Sequence, residues 1–176
     1  MKKNHSLEFE KVYLENFKYV YNYIYMTILH KETAEDICSK AFLNAYTHFD
    51  SYNPSLASAR VWLCRIAKNC LLDHMKSKFV STTDFPEELP EVATQDSDPI
   101  SRRAVNQELE RLFAMLSEED RQIISMRFYL DMQIKEIAEV MKSSPNTLSH
   151  RITRILDKLR KMEEKSGNSL SDFLDS

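Results

Sequence analysis

A chain of 176 residues, 43% hydrophobic and 29% charged with a formal net charge of −3, has an ordinary globular composition, enough for one domain or two small ones. Its single glycine, Gly167, excludes a glycine-rich phosphate loop, a dinucleotide fingerprint and a nucleophile elbow. It also argues against hairpin-rich β architecture, whose tight turns call for residues at positive φ, so the chain reads as all-α.

In chain order, residues 7–77 form a first helical lobe. Phe9, Tyr13, Phe17, Val20, Ile24 and Ile28 recur at helical spacing. A second helix over about 33–49 has the apolar face Ala34, Cys38, Ala41, Phe42, Ala45 and Phe49. Its opposite face carries Asp36, Lys40, Leu43 and Thr47. An exposed leucine in that charged setting suits a protein contact, against the plainer reading of a stray surface leucine. Asp50 to Ser55 is a loop by its turn chemistry. A third helix runs to about 77 on the stripe Ala59, Trp62, Leu63, Ile66, Ala67, Cys70 and Leu71. Arg65, Lys68 and Lys76 lie opposite that stripe with Asn69 nearby, a set able to follow a phosphate backbone.

Residues 78–101 read as a linker. Between 79 and 101 the chain carries Asp84, Glu87, Glu88, Glu91, Asp96 and Asp98 and no lysine or arginine. Residues 102–165 form a second lobe, with helices near 102–116 and 118–129. Residues 166–176 are a tail with Leu170, Phe173 and Leu174 at helical spacing, a small docking segment or a frayed end. Each lobe alone would hold only a marginal core.

Residues 134–159 are the most informative stretch. Ile134, Ile137, Ala138 and Met141 share one face of a short helix. Ser144 offers an N-cap hydroxyl, and Pro145 suits the first position of the next helix. Leu148, Ile152, Ile155, Leu156 and Leu159 form that helix's stripe, with Asn146, Ser149, His150, Thr153 and Arg154 on or beside the other face. This is the pattern of a helix-turn-helix, whose second helix reads base edges in the major groove. The competing reading is an ordinary helical hairpin with a solvated polar face. Six basic residues within 142–161 face a single acid, Asp157, a patch suited to phosphate. Cys38, Cys64 and Cys70 lack CxxC spacing and read as reduced, mostly buried thiols of a cytosolic protein. The five histidines form no metal-ligand cluster, and no run approaches membrane-spanning length. The fold expected is two small helical domains joined by an acidic flexible linker, the C-terminal one containing the helix-turn-helix.

The order of these parts resembles the sigma factors of bacterial RNA polymerase, of the compact extracytoplasmic-function (ECF) type. The carriers in the first lobe are Ala34-Glu35-Asp36-Ile37, Ala41 to Tyr46 and Ala59 to Asn69. In the second they are Leu116 to Arg121, Met126-Arg127-Phe128, Ile134 to Glu139 and Asn146-Thr147-Leu148. The resemblance implies no enzyme activity, no catalytic residue, no cofactor and no metal, and a cytoplasmic factor. It implies as partners core RNA polymerase, at its clamp helices and flap, promoter DNA, and in some cases an anti-sigma factor. Polymerase docking falls to Asp36, Ser39, Lys40, Leu43 and Thr47, with Ser39 standing where a glutamine is common. Recognition and melting of the −10 element fall to Asn53, Ser55, Arg60, Trp62, Arg65, Lys68 and Asn69. Trp62 lies on the core stripe, which favours core packing for it over a direct part in strand separation. Contact with the −35 element falls to Ser144, Asn146, Thr147, Ser149, His150, Arg151, Thr153 and Arg154. Two departures stand at the turn: Lys142 where a glycine is usual, and Gln133 where a serine or threonine is usual. The rival readings are a one-component helix-turn-helix regulator acting without polymerase and a helical protein-binding adaptor.

Overall fold

The computed structural model describes residues 2–80 and 99–166, with side chains over 6–77 and 107–164. The six acids of the expected linker and the apolar residues of the tail lie outside the described residues. Every regular element among those described is helical.

Helix α1 (Lys2–Ile28) ends at Leu29, whose φ is 57°, and α2 (Lys31–Thr47) starts directly after it. His30 caps α2, its Nδ1 accepting from the Thr33 amide at 3.2 Å. The cap sits two or three residues earlier than hydrophobic spacing suggests, because an imidazole does the work usually given to Ser or Asp. Small residues on the inner face of α2 (Ala34, Cys38, Ala41, Ala45) let it lie close against its neighbours, with Phe42 as the large exception. A 3-10 turn (Phe49–Ser51) and a loop lead to α3 (Ala59–Val80), where Ser58 Oγ accepts from the Val61 amide at 3.4 Å. Helices α1, α2 and α3 pack on one another around Val20, Ile24, Leu63, Cys64, Ala67 and Leu71.

The second lobe contains α4 (Pro99–Ala114), α5 (Glu118–Phe128), α6 (Ile134–Met141) and α7 (Pro145–Ser166). Ser117 caps α5 by accepting from the Asp120 amide at 3.2 Å, and three acids in the first turn favour the helix N-terminus.

The two lobes share one core. Five consecutive residues of α1, Tyr23 to Thr27, are buried, and so are five consecutive residues of α5, Gln122 to Met126. A helix facing one neighbour buries a stripe, whereas one buried all round lies between two. Here α1 packs against α2 and α3 on one side and α5 on the other, while α5 also meets α6 and α7. The Arg121 guanidinium fastens this junction. Its Nε donates to Thr27 O at 2.8 Å, and Nη1 donates to Leu116 O at 3.2 Å and Phe113 O at 3.4 Å. Each lobe thus supplies the apolar partner that its small size denies it alone.

Candidate nucleic-acid interface

The helix-turn-helix is built from local capping. At its start, Glu136 Oε2 accepts the Gln133 amide at 2.7 Å, so a glutamate reaching back secures the end that a Ser or Thr usually secures. At the turn, Lys142 adopts the left-handed conformation with φ 53° and ψ 45°, and the Ser143 amide closes onto Ala138 O at 2.9 Å. The turn therefore keeps the backbone shape that glycine usually provides, and a lysine bears a cost of about 1 kcal/mol. Ser144 Oγ accepts from the Thr147 amide at 3.1 Å, and Pro145 opens α7. Leu148, Ile152, Ile155 and Leu159 of α7 are buried, and Leu156 is half-buried.

These constraints fix what α7 presents. Asn146, His150, Thr153 and Arg154 are exposed and Ser149 is half-buried beside them. The Ser144 and Thr147 hydroxyls lie 2.8 Å apart and form the cap, so their main work is local. Thr153 donates its hydroxyl proton to Ser149 O at 3.1 Å, leaving oxygen lone pairs outward. Arg151 turns away from this face. Its Nη2 donates to Glu119 Oε2 at 2.7 Å and its Nε to Asp120 Oδ1 at 2.8 Å. The bond to Glu119, helped by that to Asp120, raises the guanidinium's already high pKa against the opposing effect of burial. In this structure Arg151 orients α7 on α5 instead of facing outward. Lys158 does similar work, donating to Met115 O at 3.1 Å.

In the first lobe, the loop between the 3-10 turn and α3 carries an aromatic wall. The Tyr52 ring lies 5.0 Å from Trp62 and 5.8 Å from Phe49, stacked on the latter. Trp62 is half-buried, packing on the core while bordering this loop, so it occupies both positions that its sequence allows. Asn53 Oδ1 accepts from the Ser55 amide at 2.9 Å, and Asn53 O from the Leu56 amide at 3.0 Å. Asn53 thus shapes the loop while it and Ser55 remain exposed. Arg60 lays its guanidinium carbon 3.8 Å from the centre of the Tyr19 ring. Asn69 is exposed. Arg65 and Lys68 are engaged across the lobe junction: Arg65 Nη2 donates to Glu139 Oε2 and Lys68 Nζ to Val140 O, each at 3.0 Å.

On α2, Asp36, Ser39, Lys40, Leu43 and Thr47 form one exposed face, with Leu43 65% accessible. Thr47 Oγ1 donates to Leu43 O at 2.9 Å. Sequence reasoning passed over three neighbours of these sites. Tyr46 is exposed beside the α2 face, Tyr52 completes the aromatic wall, and Leu56 stands 83% accessible on the loop. An apolar residue in a polar turn was the available signal for Leu56. Tyr52 carried none, because only folding brings it against Trp62. Among the described residues no group of His, Cys, Asp or Glu could hold a metal ion, and no helix is long and apolar enough to cross a membrane.

Comparison with known proteins agrees with this geometry. Residues 12–78 match the Sigma-70 region 2 family and residues 106–159 match Sigma-70, region 4. The chain is similar to the ECF RNA polymerase sigma factor BldN of Streptomyces coelicolor, 29% identical over 157 residues, covering 86% of this chain and 60% of BldN's length. It is 22% identical over 162 residues to the ECF RNA polymerase sigma factor SigM of Bacillus subtilis, covering 90% of this chain and 97% of SigM. Its fold is that of CnrH, solved in complex with the cytosolic domain of CnrY, with a TM-score of 0.66 and 18% identity over 89% of this chain and 88% of that one. With region 2 on the lobe that carries the α2 face and the aromatic loop, and region 4 on the helix-turn-helix, the chain belongs to the ECF sigma factors, which direct promoter recognition in transcription initiation.

Proposed function

We propose that this factor docks on the clamp helices of core RNA polymerase through Asp36, Ser39, Lys40, Leu43 and Thr47 of α2, with its C-terminal lobe held at the flap. Residues 7–77 then act as the −10 unit, 102–165 as the −35 unit, 78–101 as the tether and 166–176 as a tail. Asn146, Ser149, His150 and Arg154 read the −35 element in the major groove. Asn53 and Ser55, beside the Tyr52–Trp62 wall, receive an unstacked −10 base. Extruding a base costs a few kcal/mol, and stacking on an aromatic side chain returns roughly 1–3 kcal/mol. The observation that carries this reading is the free polar face of α7, held outward by a buried apolar stripe and two caps. The factor does its work in the cytoplasm and catalyses no reaction of its own. An anti-sigma factor is a further partner in this proposal. The support is that CnrH, the fold neighbour, was solved with the cytosolic domain of CnrY.

The test is reconstitution with core polymerase, followed by sequencing of the DNA the complex selects. His150→Ala or Arg154→Ala should weaken −35 recognition by about 1–3 kcal/mol where the side chain makes a good base contact. Asn53→Ala should spare closed-complex binding and reduce permanganate-reactive thymines at −10. Tight, sequence-specific binding to a palindrome by the isolated chain would replace this reading with a one-component regulator.

A further inference from the structure

A cleft of about 620 Å³ lies between the first lobe and the turn that opens the helix-turn-helix. Its volume falls in the range of small-molecule sites. One wall is α1 and the start of α3, with Glu15, Asn16, Tyr19 and Arg60, and the other is the α5–α6 turn and the first turn of α6, with Asp131 and Glu136. Three carboxylates therefore line it against one guanidinium. Arg60 is already engaged, its guanidinium carbon 3.8 Å from the centre of the Tyr19 ring. Glu15 is loosely held, because Lys11 stands 3.9 Å from it and both side chains are largely exposed. Glu136 gives Oε2 to the Gln133 amide and keeps its second oxygen for another donor. Asp131 stands at φ 50° in a turn that Arg127 pins by donating to Met132 O at 3.1 Å, so its carboxylate is carried on a fixed backbone. Asn16, only 5% exposed, completes the wall. Its Nδ2 donates to Val12 O at 2.8 Å, and among the described residues nothing donates to its Oδ1. That oxygen is an unmet acceptor on an otherwise buried amide.

We propose that this cleft binds a linear polyamine, an extended organic cation with ammonium groups spaced along its chain. The lining is rich in acceptors and short of positive charge, which selects a cationic donor. Among the described residues these carboxylates do not gather closely enough to hold one metal ion, so a compact cation meets them poorly and an extended one reaches several. An ammonium carries three donors and no acceptor. One ammonium gives a hydrogen bond to Asn16 Oδ1 beside Glu15, and another meets Asp131 and Glu136 across the cleft. The methylenes between them lie along the Tyr19 ring, which is 38% exposed. Bound there, the polyamine ties α1 and α3 to the start of the helix-turn-helix. Of the residues proposed to meet polymerase or DNA, only Arg60 lines the cleft, so ligand binding is testable apart from them.

The test is isothermal titration calorimetry of the full chain with spermidine, putrescine and magnesium chloride at matched ionic strength. Spermidine should bind at a single site and about ten-fold or more tightly than magnesium, with putrescine between them. Glu15→Gln and Asp131→Asn should each weaken spermidine about two- to five-fold, the scale of one exposed charge pair, and the effects should multiply in the double variant. Both side chains are exposed, and asparagine tolerates the left-handed turn at 131, so these variants keep the fold. Glu10→Gln, an exposed acid of α1 outside the cleft with the same change in net charge, should weaken spermidine by less than about 1.5-fold. Serine at Asp84, Glu87, Glu88 and Glu91 should stay within the same limit. Amide NMR shifts on adding spermidine should cluster in 15–19, 58–61 and 130–136. Equal affinity for magnesium and spermidine, or Glu10→Gln as damaging as Glu15→Gln, would mean diffuse charge screening and overturn the site. Loss of binding in the serine variant, or shifts centred on 81–98, would move the cation to the acidic segment and overturn it as well, as would no measurable heat with spermidine.

Discussion

Replacing Arg151 with alanine should destabilise the C-terminal lobe, which a base-contacting residue has no reason to do. Arg151 Nε meets Asp120 Oδ1 at 2.8 Å and Nη2 meets Glu119 Oε2 at 2.7 Å. The side chains of Arg151 and Asp120 are 28% and 22% exposed, so their bond is a partly shielded charge-assisted one, worth roughly 1.5–3 kcal/mol. Glu119 is 59% exposed, and its leg is discounted to about 0–1 kcal/mol for solvent screening. The expected loss is about 2–3 kcal/mol, or roughly 5–10 °C in Tm for a domain pair of this length. Arg154→Ala, which removes an exposed residue on the same helix, should move Tm by less than about 2 °C. Calorimetry of the two variants and of Asp120→Ala, with the Arg151→Ala/Asp120→Ala double variant, closes a double-mutant cycle. A coupling near zero, or equal Tm values for Arg151→Ala and Arg154→Ala, would refute the assignment of Arg151 to the α5–α7 contact and return it to the DNA-facing set.

Four further outcomes are expected, three from the structure and one from the sequence of the acidic segment. Lys142→Gly should raise stability by about 0.5–1 kcal/mol in urea titration, because glycine relieves the left-handed φ of 53° more than it loosens the unfolded chain, whereas Lys142→Ala should gain nothing. Glu110 is buried against Tyr25 and Tyr129, and burial raises its carboxyl above the ordinary range despite the Tyr25 hydrogen bond. The packed state therefore binds the proton more tightly than the unpacked one. Its share of stability is present below the ordinary carboxylate range and is lost as pH rises through the folded value, so Glu110→Gln should raise Tm at pH 7 and leave it unchanged at pH 4. Burial pushes the thiols of Cys38 and Cys64 up to about 12, and Cys70 upward as well, so all three should resist alkylation at pH 8 until urea unfolds the chain. Serine at Asp84, Glu87, Glu88 and Glu91 should alter abortive initiation in a transcription assay, and inserting a few serines there should do much less; the opposite ranking would make the linker a ruler instead of an acidic mimic of an RNA backbone.

The all-α architecture was legible because its signals are local. Ser117, Ser144 and Pro145 stand where capping chemistry puts them, and the α7 stripe of Leu148, Ile152, Ile155 and Leu159 is buried as its spacing requires. What escaped is long-range. Periodicity assigned α1 one inner face, Phe9 to Ile28, yet Phe17 is 39% exposed and Tyr23, Tyr25, Met26 and Thr27 are buried, because α1 lies between α2 and α3 on one side and α5 on the other. A stripe reveals one partner. The nearly unbroken apolar run from Tyr23 to Ile28 was the mark of a second, as was Ile123-Ile124 beside Met126. The candidate sites divide the same way. Exposure of Leu43, Asn146 and His150 could be read from their place opposite a stripe. The engagements of Arg65, Lys68 and Arg151 could not, because their partners lie 74, 72 and about 31 positions away along the chain.

The charge of the chain bears on why such a factor should need polymerase at all. A factor with net charge −3 and an acidic tether has little long-range attraction for DNA. In the proposed docking, polymerase is met through Leu43 and its neighbours on α2, which are exposed. In that proposed arrangement, with both lobes held on one platform, each would bind its DNA element at the high effective concentration set by the other. The stretch 81–98 limits that separation to roughly 60–65 Å when fully extended, and the promoter elements lie on the order of 70 Å apart. In the proposed arrangement the lobes cover the remainder with their own width.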